Sequence, residues 1–373
     1  MPVYVDSKLH DYVGMSSGTG AELQSAGGAI GRAAAYLLAE AERQFAEVRH
    51  EMYFPHAAGF SGVSERQSGD IFARATLANL FLDIASLVAS AELAAAFRAV
   101  ARSEASYVAR SKVQGRAGGW SYFPGLPELP PDADSLGAAV SLFARVAPEY
   151  RALCREALEL VLASARPDGS FETWIVAPGD SPGDRACMQR GIESYWGTGA
   201  DPDVLAHFYY ALCLYDPGRY ADAIQRGCSK LLEMQQPGGD WKATWYAGSA
   251  YGIGLVLRLL RKAEVGEDAQ QRARGFLLGT QRRDGMWGSG TSNALETALS
   301  ISALHEIDRS SNLNELGRGN AALAQCQRDD GSWPATPWIK MEIGRATGKI
   351  LQVLTYESVT LTTAFCVRAL LAR

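Results

Sequence analysis

Asp132 and Asp134 stand two residues apart, directly behind Pro130-Pro131 and just ahead of Ser135 and an apolar, small-residue run. Two carboxylates this close raise each other's pKa, and burial raises both further, so such a pair can hold a proton at neutral pH and pass it to a weak base. The prolines fix φ and end a loop. Asp132 or Asp134 is then a natural N-cap, with a helix running through about Val146. The same residue types also make an ordinary helix cap whose acids complement the dipole. A second cluster, Asp201-Pro-Asp203 with His207 four residues on, places an acid and an imidazole on one helix face. It reads as a second acid site or half a metal site, and more simply as a helix cap with a core histidine. Arg185, Arg190, Lys242 and Arg345 fall in loops, where they would meet a substrate diphosphate or simply be solvated.

Composition narrows the field. The chain has 373 residues, 47% of them apolar, and a net charge of -5, so a sizeable core can form and nothing favours nucleic acid. The six cysteines (154, 187, 213, 228, 326 and 366) include no Cys-x-x-Cys pair, and the five histidines are scattered. Reduced thiols in a cytoplasmic protein without a metal site are therefore expected. Met1 to Gly20 lacks the apolar core of a signal peptide, and no uncharged apolar run approaches the ~18 residues of a membrane span.

The elements that must position these residues are helices. Gln235-x-x-x-Gly239-x-Trp241, Gln281-x-x-x-Gly285-x-Trp287 and Gln327-x-x-x-Gly331-x-Trp333 are three copies of one turn, with the tryptophans 46 residues apart. Leu231, Leu277 and Leu323 precede each Gln by four residues. Phe171, Trp120 and Phe60 mark fainter copies, making six units. The helix before each turn is charged on one side and the helix after it is apolar all round, so outer and inner helices alternate. This predicts an all-α protein: a single six-fold α/α barrel of about twelve helices over residues 27–373, behind a loose arm at 1–26. Inner helices pointing one way would open their N-termini on one mouth, at Asp70, Asp132-Asp134, Asp201-Asp203, Ser249, Asn293 and Glu357-Ser358.

The Gln-x-x-x-Gly-x-Trp turns resemble the QW motifs of squalene–hopene and oxidosqualene cyclases. Pro131-Asp132-Ala133-Asp134-Ser135 resembles the Asp-x-Asp-Asp motif of class II terpene cyclases, with Ser135 where that family has its last Asp. Trp245-Tyr246, Tyr251-Gly252 and the stretch from Tyr356 to Phe365 look like inner-helix segments of the same enzymes. The resemblance covers roughly residues 115–373. It implies a cyclase that protonates an alkene or epoxide of a linear isoprenoid with Asp134, oriented by Asp132 and Ser135. It also makes Trp241, Trp287 and Trp333 structural. A carbocation needs aromatic walls, for which the candidates are Trp174, Trp196, Phe208, Tyr209, Trp245, Tyr246, Tyr251, Trp338 and Tyr356, with Phe72 and Phe123 beside them. No cofactor is implied, except Mg2+ if the substrate carries a diphosphate. The large family members place the site between two barrels, so here loops, the N-terminal arm or the second subunit of a homodimer would have to close it. Two other readings stay open: a relative that binds a hydrophobic substrate without protonating it, and a carbohydrate-active barrel whose carboxylates flank a glycosidic bond. The barrel also resembles that of protein prenyltransferase β-subunits, but no Asp-x-Cys pair supplies their zinc ligands.

Overall fold

A computed structural model describes residues 28–307 and 313–372, so the N-terminal arm lies outside the described residues. Thirteen α-helices are present among them. Six form an inner ring: α2 (Ile71–Leu87), α4 (Ala133–Val146), α7 (Pro202–Tyr215), α9 (Ala250–Lys262), α11 (Ala294–Ile307) and α13 (Val359–Leu371). Each packs on the next, and α13 packs back on α2, so the ring is closed. Around it stand α1 (Ala29–Glu42), α3 (Ala91–Arg110), α5 (Arg155–Ser164), α8 (Ala221–Glu233), α10 (Glu267–Thr280) and α12 (Leu313–Gln325). The thirteenth, α6 (Pro182–Gly191), is an insertion that runs into a π-helical turn at Ile192–Trp196. The inner helices follow from composition: α4 is buried at every position from Ala133 to Phe143, a run of apolar and small residues apart from Asp134. None of the helices is long and apolar enough to cross a membrane.

The repeated turns are joints between outer helices. In each, the tryptophan indole N–H donates to the carbonyl of the leucine ten residues upstream, at 2.7 Å: Trp241 to Leu231, Trp287 to Leu277, Trp333 to Leu323. The glutamine amide donates to its own turn glycine and to the start of the next outer helix: Gln235 to Ala269, Gln281 to Glu315, Gln327 to Ala29. Gly239 takes φ of +100°, and a Cβ there would stand 2.3 Å from the Arg272 carbonyl oxygen, so both the turn and the approach require glycine. Trp120 makes the corresponding bond to Val108. Phe60 does not: it sits in a surface loop against Phe54 and Tyr195, so it marks no such joint.

Two short antiparallel hairpins, absent from the helical reading, cover the mouth. β1 (His50–Tyr53) pairs with β2 (Arg66–Gly69), and β3 (Pro337–Ile343) with β4 (Gln352–Glu357). At the other end of the barrel, Asp83 of α2 accepts from Arg145 of α4 at 2.6 Å, from Arg258 of α9 at 2.8 Å and pairs with Arg368 of α13 at 3.0 Å. Glu306 of α11 joins Arg258, Arg261 and Arg368. Burial opposes the Asp83 charge, but the three guanidiniums hold its carboxyl well below the usual range. These half-buried arginines also lie near the negative ends of the inner helices. That end is thus tied together by ion pairs, whereas the paired aspartates stand at the mouth.

Candidate functional site

Asp132 is the N-cap of α4. Its Oδ1 accepts from the Ser135 backbone N–H at 2.6 Å and its Oδ2 from the Ser135 hydroxyl at 2.9 Å. The preceding strand of loop is zipped to residues 173–175 by backbone bonds, Ala133 to Thr173 and Ile175 to Pro131, at 2.9 and 2.8 Å. Both oxygens of Asp132 therefore serve its own helix start. Burial, followed by the neighbouring charge of Asp134, pushes its carboxyl up to about 7 against the pull of those hydrogen bonds.

Asp134, one residue into α4, is held from other elements. His207 Nδ1 of α7 lies 2.6 Å from Oδ1, and the Tyr246 hydroxyl donates to Oδ2. The helices meet this closely because Gly137 has no side chain: a Cβ there would stand 3.3 Å from the His207 backbone. So Asp134 is oriented by His207 and Tyr246, and Ser135 acts on Asp132 instead. His207, for which a core role was the simpler expectation, is a partner of the acid. Its partner lies on a different helix, 73 residues away, so the i, i+4 relation to Asp203 gave no sign of it.

Asp203 is buried beside this pair. Its Oδ2 accepts the backbone N–H groups of Thr244 and Trp245, both at 3.3 Å, and so fixes the loop that carries Tyr246. Burial, then the charges of Asp201 and Asp134, pushes its carboxyl up to about 7. Asp201 accepts from the Trp245 indole at 2.8 Å and from Thr173 at 2.7 Å, and pairs with Arg345 at 3.5 Å. Arg345 in turn lies over the Trp245 ring, 4.7 Å from its centroid.

Asp132 and Asp134 both line a cavity of about 50 Å³. Phe72, Tyr122, Trp174, Trp196, Trp245 and Tyr246 line it with them, and Leu129, Val204 and the β3 residues Ile339 and Met341 complete an apolar surface. Four of the expected aromatic residues, Trp174, Trp196, Trp245 and Tyr246, are thus brought together here. Trp338 and Tyr251 form the layer behind: Trp338 stacks on Phe72 at 5.5 Å and meets Tyr251 edge-on at 5.4 Å. Tyr356 points elsewhere, donating to the Val48 carbonyl at 2.6 Å. Phe208 and Tyr209 are corrected outright. They face the outer layer, where Phe208 packs on Phe171 and the Tyr209 hydroxyl donates to the Gly169 carbonyl at 2.6 Å. α7 is buried on both faces, so its sequence carries no sign of which face is inward. Tyr122, Leu129 and Met341 were not expected and come from loops and a strand. Arg190, on α6 and not in a loop, is paired with Glu128 at 3.2 Å. Among the described residues no cluster of three or more His, Cys, Asp or Glu side chains could hold a metal ion.

No family model matches the chain. It is 27% identical over 232 residues to drimenyl diphosphate synthase of Streptomyces showdoensis, which covers 59% of this chain and 39% of that protein. It is also 27% identical over 214 residues to labda-7,13-dienyl diphosphate synthase of Streptomyces clavuligerus, 57% of this chain and 35% of that protein. The chain thus spans well under half the length of these curated relatives. Its fold matches that of the type II terpene cyclase MstE from Scytonema with a TM-score of 0.64 at 19% identity, over 92% of this chain and 96% of MstE. A heparin-specific unsaturated glucuronyl hydrolase shares the fold more distantly, with a TM-score of 0.54 at 10% identity over 92% of this chain and 95% of that one. Together, these likenesses relate the chain to the class II terpene cyclases and their squalene–hopene cyclase-like superfamily.

Proposed function

We propose that this relative of the class II terpene cyclases is itself a protonation-initiated cyclase, working as one barrel domain on a linear isoprenoid. The observation that carries the reading is Asp134: a buried carboxyl on the wall of an apolar, aromatic cavity, clasped by an imidazole and a phenol. An alkene is a very weak base, so its acid must be protonated at rest and yield a well-stabilised anion. The Tyr246 hydroxyl and the Nδ1 side of the His207 ring are two partners aimed at the carboxylate that remains after transfer. The carboxyls of Asp132 and Asp203, both raised to about 7, keep the surroundings of the acid from carrying three negative charges at once. Phe72, Trp174, Trp196 and Trp245 then line the cavity with aromatic rings that stabilise a cation without offering it a lone pair.

The walls argue against a carbohydrate reading, which wants a long polar groove. The relatives are named for diphosphate products, while MstE has been solved with geranylgeranyl dihydroxybenzoate, so both kinds of head group belong in the test. A cavity of about 50 Å³ is far smaller than the ~300 Å³ or more of a ligand pocket, so substrate entry must part the walls. The test is incubation of the purified chain with C15, C20 and C30 isoprenoids, with and without a diphosphate and Mg2+, followed by mass spectrometry. Cyclised isomers of the substrate mass are expected. Binding without turnover would favour the non-protonating reading instead.

A further inference from the structure

A cyclisation that begins by adding a proton ends as an isomerisation only if some group takes a proton back. Tyr122 stands on the cavity wall together with Asp132 and Asp134. Behind it, out of the cavity, His50 Nδ1 lies 2.9 Å from the Tyr122 hydroxyl. We propose that Tyr122, relayed to His50, is the base that terminates the reaction by taking a proton from the last carbocation. The proposal rests on the cyclase reading of the preceding section.

Several features fit this role. The pair is held from three sides. His50 opens β1 and packs on the rings of Tyr356 at 4.7 Å and Phe123 at 5.3 Å. Gly69, its partner across the hairpin, lets the Tyr122 loop press in: a Cβ there would come within 1.9 Å of the Tyr122 carbonyl oxygen. Burial pushes the His50 imidazole down to about 4, so it is neutral at physiological pH and one ring nitrogen keeps its lone pair. Burial also pushes the Tyr122 phenol well up, so its proton stays on and is directed at that lone pair. Phe72 neighbours both this pair and the partners of the acid: its ring lies 6.2 Å from Tyr122, 6.2 Å from His207 and 6.5 Å from Tyr246. Proton entry and proton exit are therefore both within reach of one aromatic ring that can stabilise the cation between them.

The step balances. The C–H bond beside the cationic carbon breaks, and its electron pair becomes the new C=C bond. The proton goes to the Tyr122 oxygen as the phenol proton moves to His50 Nδ1. The resulting imidazolium, disfavoured by burial, releases its proton to solvent, and Asp134 takes one up. A carbocation is so strong an acid that a neutral phenol with a neutral imidazole behind it is base enough.

The experiment is product analysis in D2O for wild type, Tyr122→Phe and His50→Asn. Wild type should give an alkene carrying one deuterium. Tyr122→Phe keeps the ring and removes the oxygen. His50→Asn leaves an acceptor for the phenol but nothing that takes its proton. In both, the wild-type alkene should fall about a hundredfold relative to other products, the range of a lost general base, with alcohols or shifted double-bond isomers in its place. A merely structural role would lower yield without moving this ratio. If both variants are folded and keep the wild-type ratio, or if the wild-type product is an alcohol, the assignment is overturned. A wild-type chain that cyclises nothing overturns the cyclase reading as well, and is told apart by that.

Discussion

Asp134→Asn keeps the shape of the acid and its bond from Tyr246 but removes the transferable proton. Turnover should fall by about 10³ or more while substrate still binds, because the lost interaction belongs to the transition state. Wild-type turnover in this variant would move the proton source to Asp203 or Asp132. Asp132→Asn should do less harm, since both Asp132 oxygens are engaged by Ser135. Ser135→Asp removes the hydroxyl donor and sets a third carboxylate beside a raised one, so it should change rate without unfolding the chain. The pH dependence follows from Asp132 and Asp203, both near 7 when folded against about 4 for a free Asp. Between those values the folded state binds more protons than the unfolded chain. Their contribution to stability is therefore full below about 4 and is lost as pH rises through about 7. Activity should fall along the same limb. Asp203→Asn removes a like charge from the cluster, so that limb should move to lower pH in a kcat/KM profile. At this scale the Asp132-x-Asp134 pair was legible from spacing and prolines. His207 was not, because nothing in a single helix shows which residue will face it from the next.

Elements explain which parts of the site were readable. The inner helices begin where Asp, Ser and Pro stand before apolar runs, and all six starts fall within a few residues of those signals. The hairpins were missed because β1 and β2 have four residues each and β2, Arg66-Gln67-Ser68-Gly69, is polar throughout. Backbone pairing, not side-chain pattern, makes them strands. The β3–β4 hairpin matters most, since β3 is tied to the Tyr246 loop by Lys340 to Trp245 and Ala247 to Trp338 bonds of 2.9 and 2.8 Å, and contributes Ile339 and Met341 to the cavity. Met341→Ala should enlarge the cavity from the hairpin side and shift preference toward longer isoprenoids. The kcat/KM ratio of C20 to C15 substrates should rise by roughly tenfold, the scale of a few methylenes in an apolar pocket. An unchanged ratio would take Met341 out of the substrate wall. The turn tryptophans should behave oppositely. Trp333 is fully buried, and Trp333→Ala should cost roughly 3–5 kcal/mol in denaturant unfolding. A variant that keeps its melting temperature and loses activity would contradict the structural role.

At the scale of the whole molecule the repeats do more than hold neighbours together. Gln235 and Gln281 join outer helices that follow each other in the chain, whereas Gln327 reaches back to Ala29, 298 residues away, and accepts from Arg32 at 2.6 Å. The same motif thus serves as a joint twice and as the seam of the ring once. Consecutive joints are held by covalent continuity even when their hydrogen bonds are lost. Among the described residues the seam is held by α12–α1 contacts of this kind, by α13 packing on α1 and α2, and by Glu47 and Val48, which accept from Ser358, Val359, Thr360 and Tyr356. Gln281→Ala and Gln327→Ala remove the same set of bonds, each worth about 1 kcal/mol net, so both should lower global stability by roughly 1–3 kcal/mol. Only Gln327→Ala should open the ring locally. In hydrogen exchange, the amides of α1 should lose protection selectively in Gln327→Ala and keep it in Gln281→Ala. Equal loss in both variants would mean that the barrel is held by its inner ring alone and that the third repeat is no seam.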